Sequence, residues 1–269
     1  MKLTVLMDNH TEIDVYHLGE PAVSYWLEAD GKRFLFDTGY SDAFLKNAKA
    51  MGIDLTTADA ILLSHGHNDH TGGLPDLLAL PFPKKPRLIA HPHALLPKHW
   101  GTMDIGSPLS MKELQAKAIL EFTEAPLWLT DRLVFLGEIP HTVDFEPAYA
   151  IGETIIDGQT VPDIIDDDTA LAYVTDAGIY IITGCSHAGI CNIIQYAKVV
   201  TGKTKVLGLL GGLHLMEENE RSQKTVDFLA KEQISALYPC HCTAFPVRAA
   251  LHAVSPIQEV AVGMTLEWE

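Results

Sequence analysis

The chain has 269 residues, 47% of them hydrophobic, 20% charged and 8% aromatic. That is enough apolar material for a core without disulfide staples, and it excludes disordered, collagenous and coiled-coil chains. Lys and Arg number 19 against 35 Asp and Glu, a formal charge of −16, so the field repels polyanions and the expected partner is a small-molecule substrate, with no nucleic acid and no membrane.

The first 36 residues read as strands in LTVLMD, AVSYWLEA and RFLFD, the last two joined by an Asp30-Gly31 turn. Asp42–Met51 has helical spacing and stops at Gly52, and ADAILLS is a short apolar strand running into the polar SHGHNDHTGG. A helix is expected over Leu74–Ala79 and a strand in RLIAHPH. Residues 92–130 read as irregular with one helix near Lys112–Phe122. LVFLG from Leu133 is a strand, followed by a loop of about 30 residues that carries Asp166-Asp167-Asp168, read as a solvated run. ALAYVTDAGIYIITG reads as a hairpin turning at Asp176–Gly178 and Gly189–Val200 as a helix, with KVLGLLGG a buried strand. A helix over Glu218–Glu232, the strand SALYP and a helix over Phe245–Ala253 complete the pattern. Strands and helices interleave with no linker, repeat or shift of composition, which predicts one layered α/β domain over 1–269 with mixed sheets.

No stretch approaches the roughly 18–20 apolar residues of a membrane span, and MKLTVLMDNHTEID lacks the apolar core and cleavage site of a signal peptide. The expectation is a cytoplasmic protein in which Cys185, Cys191, Cys240 and Cys242 are free thiols or metal ligands rather than disulfides.

Thirteen histidines are present, several at the ends of apolar runs where strands deliver them to one sheet edge. The sharpest signal is Ser64-His65-Gly66-His67-Asn68-Asp69-His70-Thr71-Gly72-Gly73, three imidazoles and a carboxylate within six residues after a core strand. His65 and His67 can turn to one point while Asp69 and His70 turn to a neighbouring one, with Gly66 and Gly72-Gly73 permitting the tight backbone. Such donors suit divalent ions, and two ions a few Å apart suit hydrolysis.

HxHxDH after an apolar strand resembles the metallo-β-lactamase-fold superfamily. FLFDTG with Asp37, then TGCSHAG, GGLHL and PCHCT in order, extend the resemblance over essentially the whole chain, to the branch that includes dihydropterin (methanopterin-type) synthase-like hydrolases. The resemblance implies a four-layer αββα sandwich, two mixed β-sheets flanked by helices, with a metal site at one edge. It implies His65 and His67 at a first ion, Asp69, His70 and His241 at a second, and Asp37 holding a metal-binding His by a hydrogen bond. Cys185 occupies the slot of a bridging Asp or Cys and is a ligand candidate, with a buried structural thiol as the alternative. His187 and His141 compete to complete the first site, His141 being equally suited to substrate contact. His214, at the end of a strand, is assigned to substrate binding or proton transfer, and Asp69 to orienting or deprotonating the attacking water. His91 and His93 are left unassigned, Pro92 and the nearby Lys98 suggesting a rim there, and Trp100, Met103, Trp128 and Phe145 are rim candidates.

The predicted activity is metal-dependent hydrolysis of an ester, phosphoester or related bond of a small molecule, of pterin or phosphoribosyl-aryl type, with one or two divalent ions. Zn is the first choice and Mn, Fe or Ni the alternatives. A di-iron redox protein or a non-catalytic metal or ligand sensor of the same fold are the competing readings.

Overall fold

The structure, a computed structural model, covers residues 1–269. Seven strands make the first sheet, in the order Thr265–Glu267, Lys2–Met7, Ser24–Ala29, Lys32–Phe36, Ala60–Leu62, Arg87–Ala90 and Ile119–Phe122. The first three pairings are antiparallel and the last three parallel. Six strands make the second, in the order Ala236–Cys240, Val206–Gly212, Ile179–Thr183, Ala170–Val174, Leu133–Phe135 and Leu127–Trp128. Here the first two pairings are parallel and the rest antiparallel.

Strand alternation explains the layering. Phe34, Phe36, Leu171, Tyr173, Ile182 and Leu210 point into one core shared by the two sheets, because side chains two apart share a face. Their neighbours Leu35, Ile61 and Leu88 turn outward against Phe44, Leu74, Leu77 and Leu114 of the helices Ala43–Ala50, Leu74–Leu77 and Met111–Lys117. On the far side Ala170, Ala172, Ile181 and Leu209 pack against Ile193, Leu229 and Leu251 of the helices Ile190–Thr201, Glu220–Glu232 and Phe245–Val254. The result is the αββα sandwich, both sheets mixed.

Three expectations are corrected. The helix near Lys112–Phe122 ends at Lys117, and Ile119–Phe122 is instead the edge strand beside Arg87–Ala90. Its apolar residues continue the helical spacing, but parallel pairing with a distant strand satisfies the backbone there. The 30-residue loop and the irregular stretch 92–130 together contribute a third, antiparallel sheet, Gln159–Pro162, Glu153–Ile156, Lys98–Trp100 and Met103–Asp104. Its hairpin turns at Asp157-Gly158, both at positive φ (51° and 77°), the pairing that a two-residue turn of this kind requires. The C-terminal strand Thr265–Glu267 was not anticipated either.

Candidate metal centre

The buried strand Ala60–Leu62 ends at the sheet edge and releases the chain into Ser64–His67, followed by the short helix Asn68–Thr71. From the second sheet, Ile179–Thr183 releases Cys185–His187 and Ala236–Cys240 releases His241 and Cys242. His65, His70, Cys185 and His187 are buried. Their donor atoms fall in overlapping groups, each spanning no more than 4.8 Å: His65, His67 and Asp69; His65, Cys185 and His187; and Asp69, His70, Cys185 and His241.

The hydrogen bonds behind these rings fix which nitrogen faces inward. Ser64 Oγ–H donates to Asp37 Oδ2 at 2.7 Å, so its oxygen accepts Nδ1–H of His65 at 3.0 Å. The Nε2 lone pair of His65 is then turned towards His67 Nδ1, 3.0 Å away. His70 Nδ1–H donates to Asp37 Oδ2 at 2.7 Å, leaving Nε2 facing Cys185 Sγ at 3.2 Å and Asp69 Oδ2 at 3.4 Å. His241 Nδ1–H donates to Asn9 Oδ1 at 3.1 Å, and its Nε2 lies 3.3 Å from Asp69 Oδ2. Tyr149 Oη stands 3.4 Å behind Nδ1 of His187, whose Nε2 is buried with no partner, as is Nε2 of His67. Buried ring nitrogens left without a partner are costly unless a cation takes their lone pairs. The donor set therefore fits divalent ions.

The electrostatics follow the same division. Burial, and then the rings of His70, His67 and His187, hold His65 well below the ordinary histidine value. Burial and then His214 do the same to His187. These are neutral imidazoles, the form that binds metal. Burial works against the Asp69 carboxylate, but His70 and His241 outweigh it and hold Asp69 well below the usual carboxylate range.

The remaining expected residues divide. His214, at φ 45°, stands beside His187 with ring centroids 4.2 Å apart and lines the cleft over the donor groups. His141 does not reach it: the residue is exposed, its Nδ1–H donates to the Glu146 carbonyl at 3.0 Å, and His187 occupies the place beside His65. Of the four rim candidates Trp100 alone lines the cleft; Met103 and Trp128 are exposed elsewhere and Phe145 packs against the outer helices. The Asp166–Asp168 run is not solvated. Asp167 and Asp168 are buried, and Asp167 pairs with the equally buried Lys98, which is therefore no rim residue. Asp168 Oδ2 accepts the Ala188 N–H at 2.9 Å, and burial lifts its carboxyl to about 8.

His91, His93 and Asp166 also converge, but His91 Nδ1 accepts the His93 N–H at 3.2 Å. The proton of His91 is thereby placed on Nε2, which faces Glu138 at 3.8 Å, so this knot is a polar tie and not a cation seat. Ser64, Asn9 and Tyr149 escaped the sequence reading, although Ser64 sits inside the very motif quoted above.

The cleft has a volume of about 710 Å³. Its floor is His67, Asp69, Cys185, His187 and His241, and its walls include Tyr40, Trp100, Ile105, Ile151 and Met216. No helix is long and apolar enough to cross a membrane.

Residues 18–241 match the family model of the metallo-beta-lactamase superfamily, a span that begins before Asp37 and ends on His241. The chain belongs to that superfamily. Among its relatives is the 7,8-dihydropterin-6-methyl-4-(beta-D-ribofuranosyl)-aminobenzene-5'-phosphate synthase of Methanocaldococcus jannaschii, 30% identical, over 91% of this chain and 88% of that protein. The crystal structure of Tm1679, a metal-dependent hydrolase of the beta-lactamase superfamily, superposes with a TM-score of 0.84 at 28% identity, covering 100% of this chain and 99% of that one. Zn(2+)-bound PqqB from Methylobacterium extorquens shares the fold, with a TM-score of 0.58 at 12% identity over the full length of both chains.

Proposed function

We propose that the protein hydrolyses an ester, phosphoester or related bond of a small molecule, with two divalent cations, zinc first, seated among these three overlapping donor groups. The observation that carries this reading is the convergence of inward-facing nitrogens of His65, His67, His70, His187 and His241 with Asp69 and Cys185 on the floor of one cleft. Bound there, divalent cations supply activation of water at neutral pH and countercharge for the negative charge that develops on the substrate. One carboxylate and one thiol among five imidazoles favour zinc over the carboxylate-rich di-iron alternative.

The chain's own groups do the rest. Asp69, ionised and half-open to the cleft, orients the attacking water and accepts its proton. His214, whose Nδ1 is buried without a partner, contacts the substrate and returns a proton to the leaving group. Tyr40 and Trp100 give flat surfaces for a ring, and a cleft of this size suits a drug-sized ligand. With the similarity to the M. jannaschii synthase, this supports a substrate of pterin or phosphoribosyl-aryl type.

The test is metal analysis of the purified protein together with turnover on a phosphodiester, thioester and lactone panel and on pterin and aryl-riboside phosphate compounds. His67→Ala should lose at least about 100-fold in turnover, since cation stabilisation of the transition state is worth several kcal/mol. Full turnover by metal-stripped protein, or by His67→Ala, overturns the reading.

A further inference from the structure

Overlapping the donor groups already described lies another, in which the hydrolytic reading uses Cys185 as an ion ligand and His214 on the substrate but leaves Cys242 without a role. The ligand atoms of Cys185, His214 and Cys242 lie within 4.8 Å of one another, and all three residues line the cleft. Both sulfurs belong to free cysteines, so the group offers two thiols and an imidazole and no oxygen.

Its construction is specific. The Gly212 position leaves the room: a Cβ there would stand 2.5 Å from Cys242 Sγ. Cys242 Sγ accepts the His214 N–H at 3.3 Å and lies 3.6 Å from the Cys185 carbonyl, so both neighbours in the group also hold it through their backbones. Thr243 Oγ1 accepts the Leu213 N–H at 3.0 Å and ties the two loops together. His214 Nδ1 is buried and unpartnered. That nitrogen is therefore free to take a ligand. This contrasts with His91, whose ring nitrogen is taken by a backbone N–H.

We infer that Cys185, His214 and Cys242 form a seat for a thiophilic divalent cation, Zn2+ or Cd2+, adjoining the Asp69–His70–His241 position and sharing Cys185 with it. Soft sulfur donors select such ions, whereas oxygen-preferring ions such as Mn2+ gain nothing from them. Each thiol gives up its proton to solvent as the cation binds. The cleft floor then offers one cation two adjoining environments, an imidazole–carboxylate one and a thiolate one, and metal softness decides how far Cys242 is engaged.

Titration of the metal-free protein with Cd2+, followed by the ultraviolet thiolate-to-cadmium charge-transfer band, reads the number of thiolates bound. The band at saturation should fall by about half in Cys242→Ser and about half in Cys185→Ser, one thiolate being lost in each. His67→Ala, which bears on the first ion position, should leave it unchanged. Manganese binding should be the same in Cys242→Ser and in the unmodified chain. A Cys242→Ser protein with the full band overturns the assignment while leaving the hydrolase reading intact. Loss of turnover in His67→Ala tests that reading separately. Should Cys242→Ser not fold, alkylation of the unmodified protein decides: Cd2+ should protect Cys242 from iodoacetamide and Mn2+ should not, and equal labelling of Cys242 with and without Cd2+ overturns the assignment.

Discussion

Asp37 is buried, sits at φ 61°, and accepts three hydrogen bonds: from Ser64 N–H at 2.7 Å, Ser64 Oγ–H at 2.7 Å and His70 Nδ1–H at 2.7 Å. A carboxylate can accept all three, and Asp tolerates the left-handed backbone. Asn tolerates it too, so Asp37→Asn leaves the backbone alone and changes only the hydrogen bonding. Its amide N–H would face His70 Nδ1, forcing the His70 proton onto Nε2, towards Cys185 and Asp69. The expected outcome is loss of about 10–100-fold in metal affinity or activity, as for other groups that orient a ligand from behind. Metal analysis of the dialysed variant should show the second ion depleted before the first. Gly66 is constrained differently. A Cβ there would collide with the Ala94 carbonyl and lie 2.7 Å from Lys98 Cε, so Gly66→Ala should displace the His65–His67 loop and lower soluble yield.

At the scale of elements, the small antiparallel sheet carries Trp100 to the cleft and is anchored from below by charge. Lys98, at the start of Lys98–Trp100, has its ammonium fully buried, 2.8 Å from Asp163 Oδ2 and 3.1 Å from Asp167 Oδ1. Asp167 Oδ2 accepts the Gly66 N–H at 2.7 Å, between two proposed ligands. Burial opposes the charge on Asp167, but Lys98 and then His67 outweigh it and hold the carboxyl below its ordinary 3.8. Burial likewise opposes the charge on Lys98, and Asp167 and then Asp163 hold the ammonium above 10.5. A depressed carboxyl stabilises above its unfolded value and loses that contribution as pH falls through its folded one. A raised ammonium stabilises below 10.5 and loses it as pH rises through its folded value. The Lys98–Asp167 pair is therefore fully stabilising between about pH 4 and 10.5. Lys98→Met, which strands two buried carboxylates, should cost about 3–5 kcal/mol in urea melts at pH 7, and the gap should narrow as pH falls and the Asp167 contribution is lost. The same triad shows why the Asp run misleads when read alone. A charged run next to a loop has no local sign of burial, and the lysine that makes burial tolerable comes 69 residues earlier along the chain. The Asp157-Gly158 hairpin, by contrast, had a local sign in its turn dipeptide between apolar–polar runs. Ile119–Phe122 had none, because its strand character comes from pairing with Arg87–Ala90.

For the molecule as a whole, the site is where the two sheets are tied. His65, His67, Asp69 and His70 come from the edge of the seven-stranded sheet, and Cys185, His187 and His241 from that of the six-stranded one. The sandwich and the HxHxDH loop are legible from sequence because alternation and ligand spacing are local patterns. Which of His187 and His141 joins the loop is not local: it depends on the second sheet presenting Cys185–His187 opposite Ala60–Leu62, while the chain around His141 folds onto the helix Ile190–Thr201, with Thr142 N–H and Val143 N–H donating to Asn192 Oδ1 at 2.8 Å. Cations across this seam bind the folded chain and not the unfolded one, so they stabilise it by RT ln(1 + [L]/Kd), about 4 kcal/mol at a thousandfold excess over Kd. Without them Nε2 of His67 and Nε2 of His187 stay buried with no partner, a cost that falls on this seam. Removal of metal by a chelator should lower Tm by several degrees, and added Zn2+ should restore it in proportion to the logarithm of its free concentration. In His67→Ala, and in Cys185→Ser from the opposite sheet, the increment on adding Zn2+ should shrink. A Tm indifferent to chelator in the unmodified protein would show that the sandwich is held by its three apolar cores alone and that the ions, where bound, serve chemistry only.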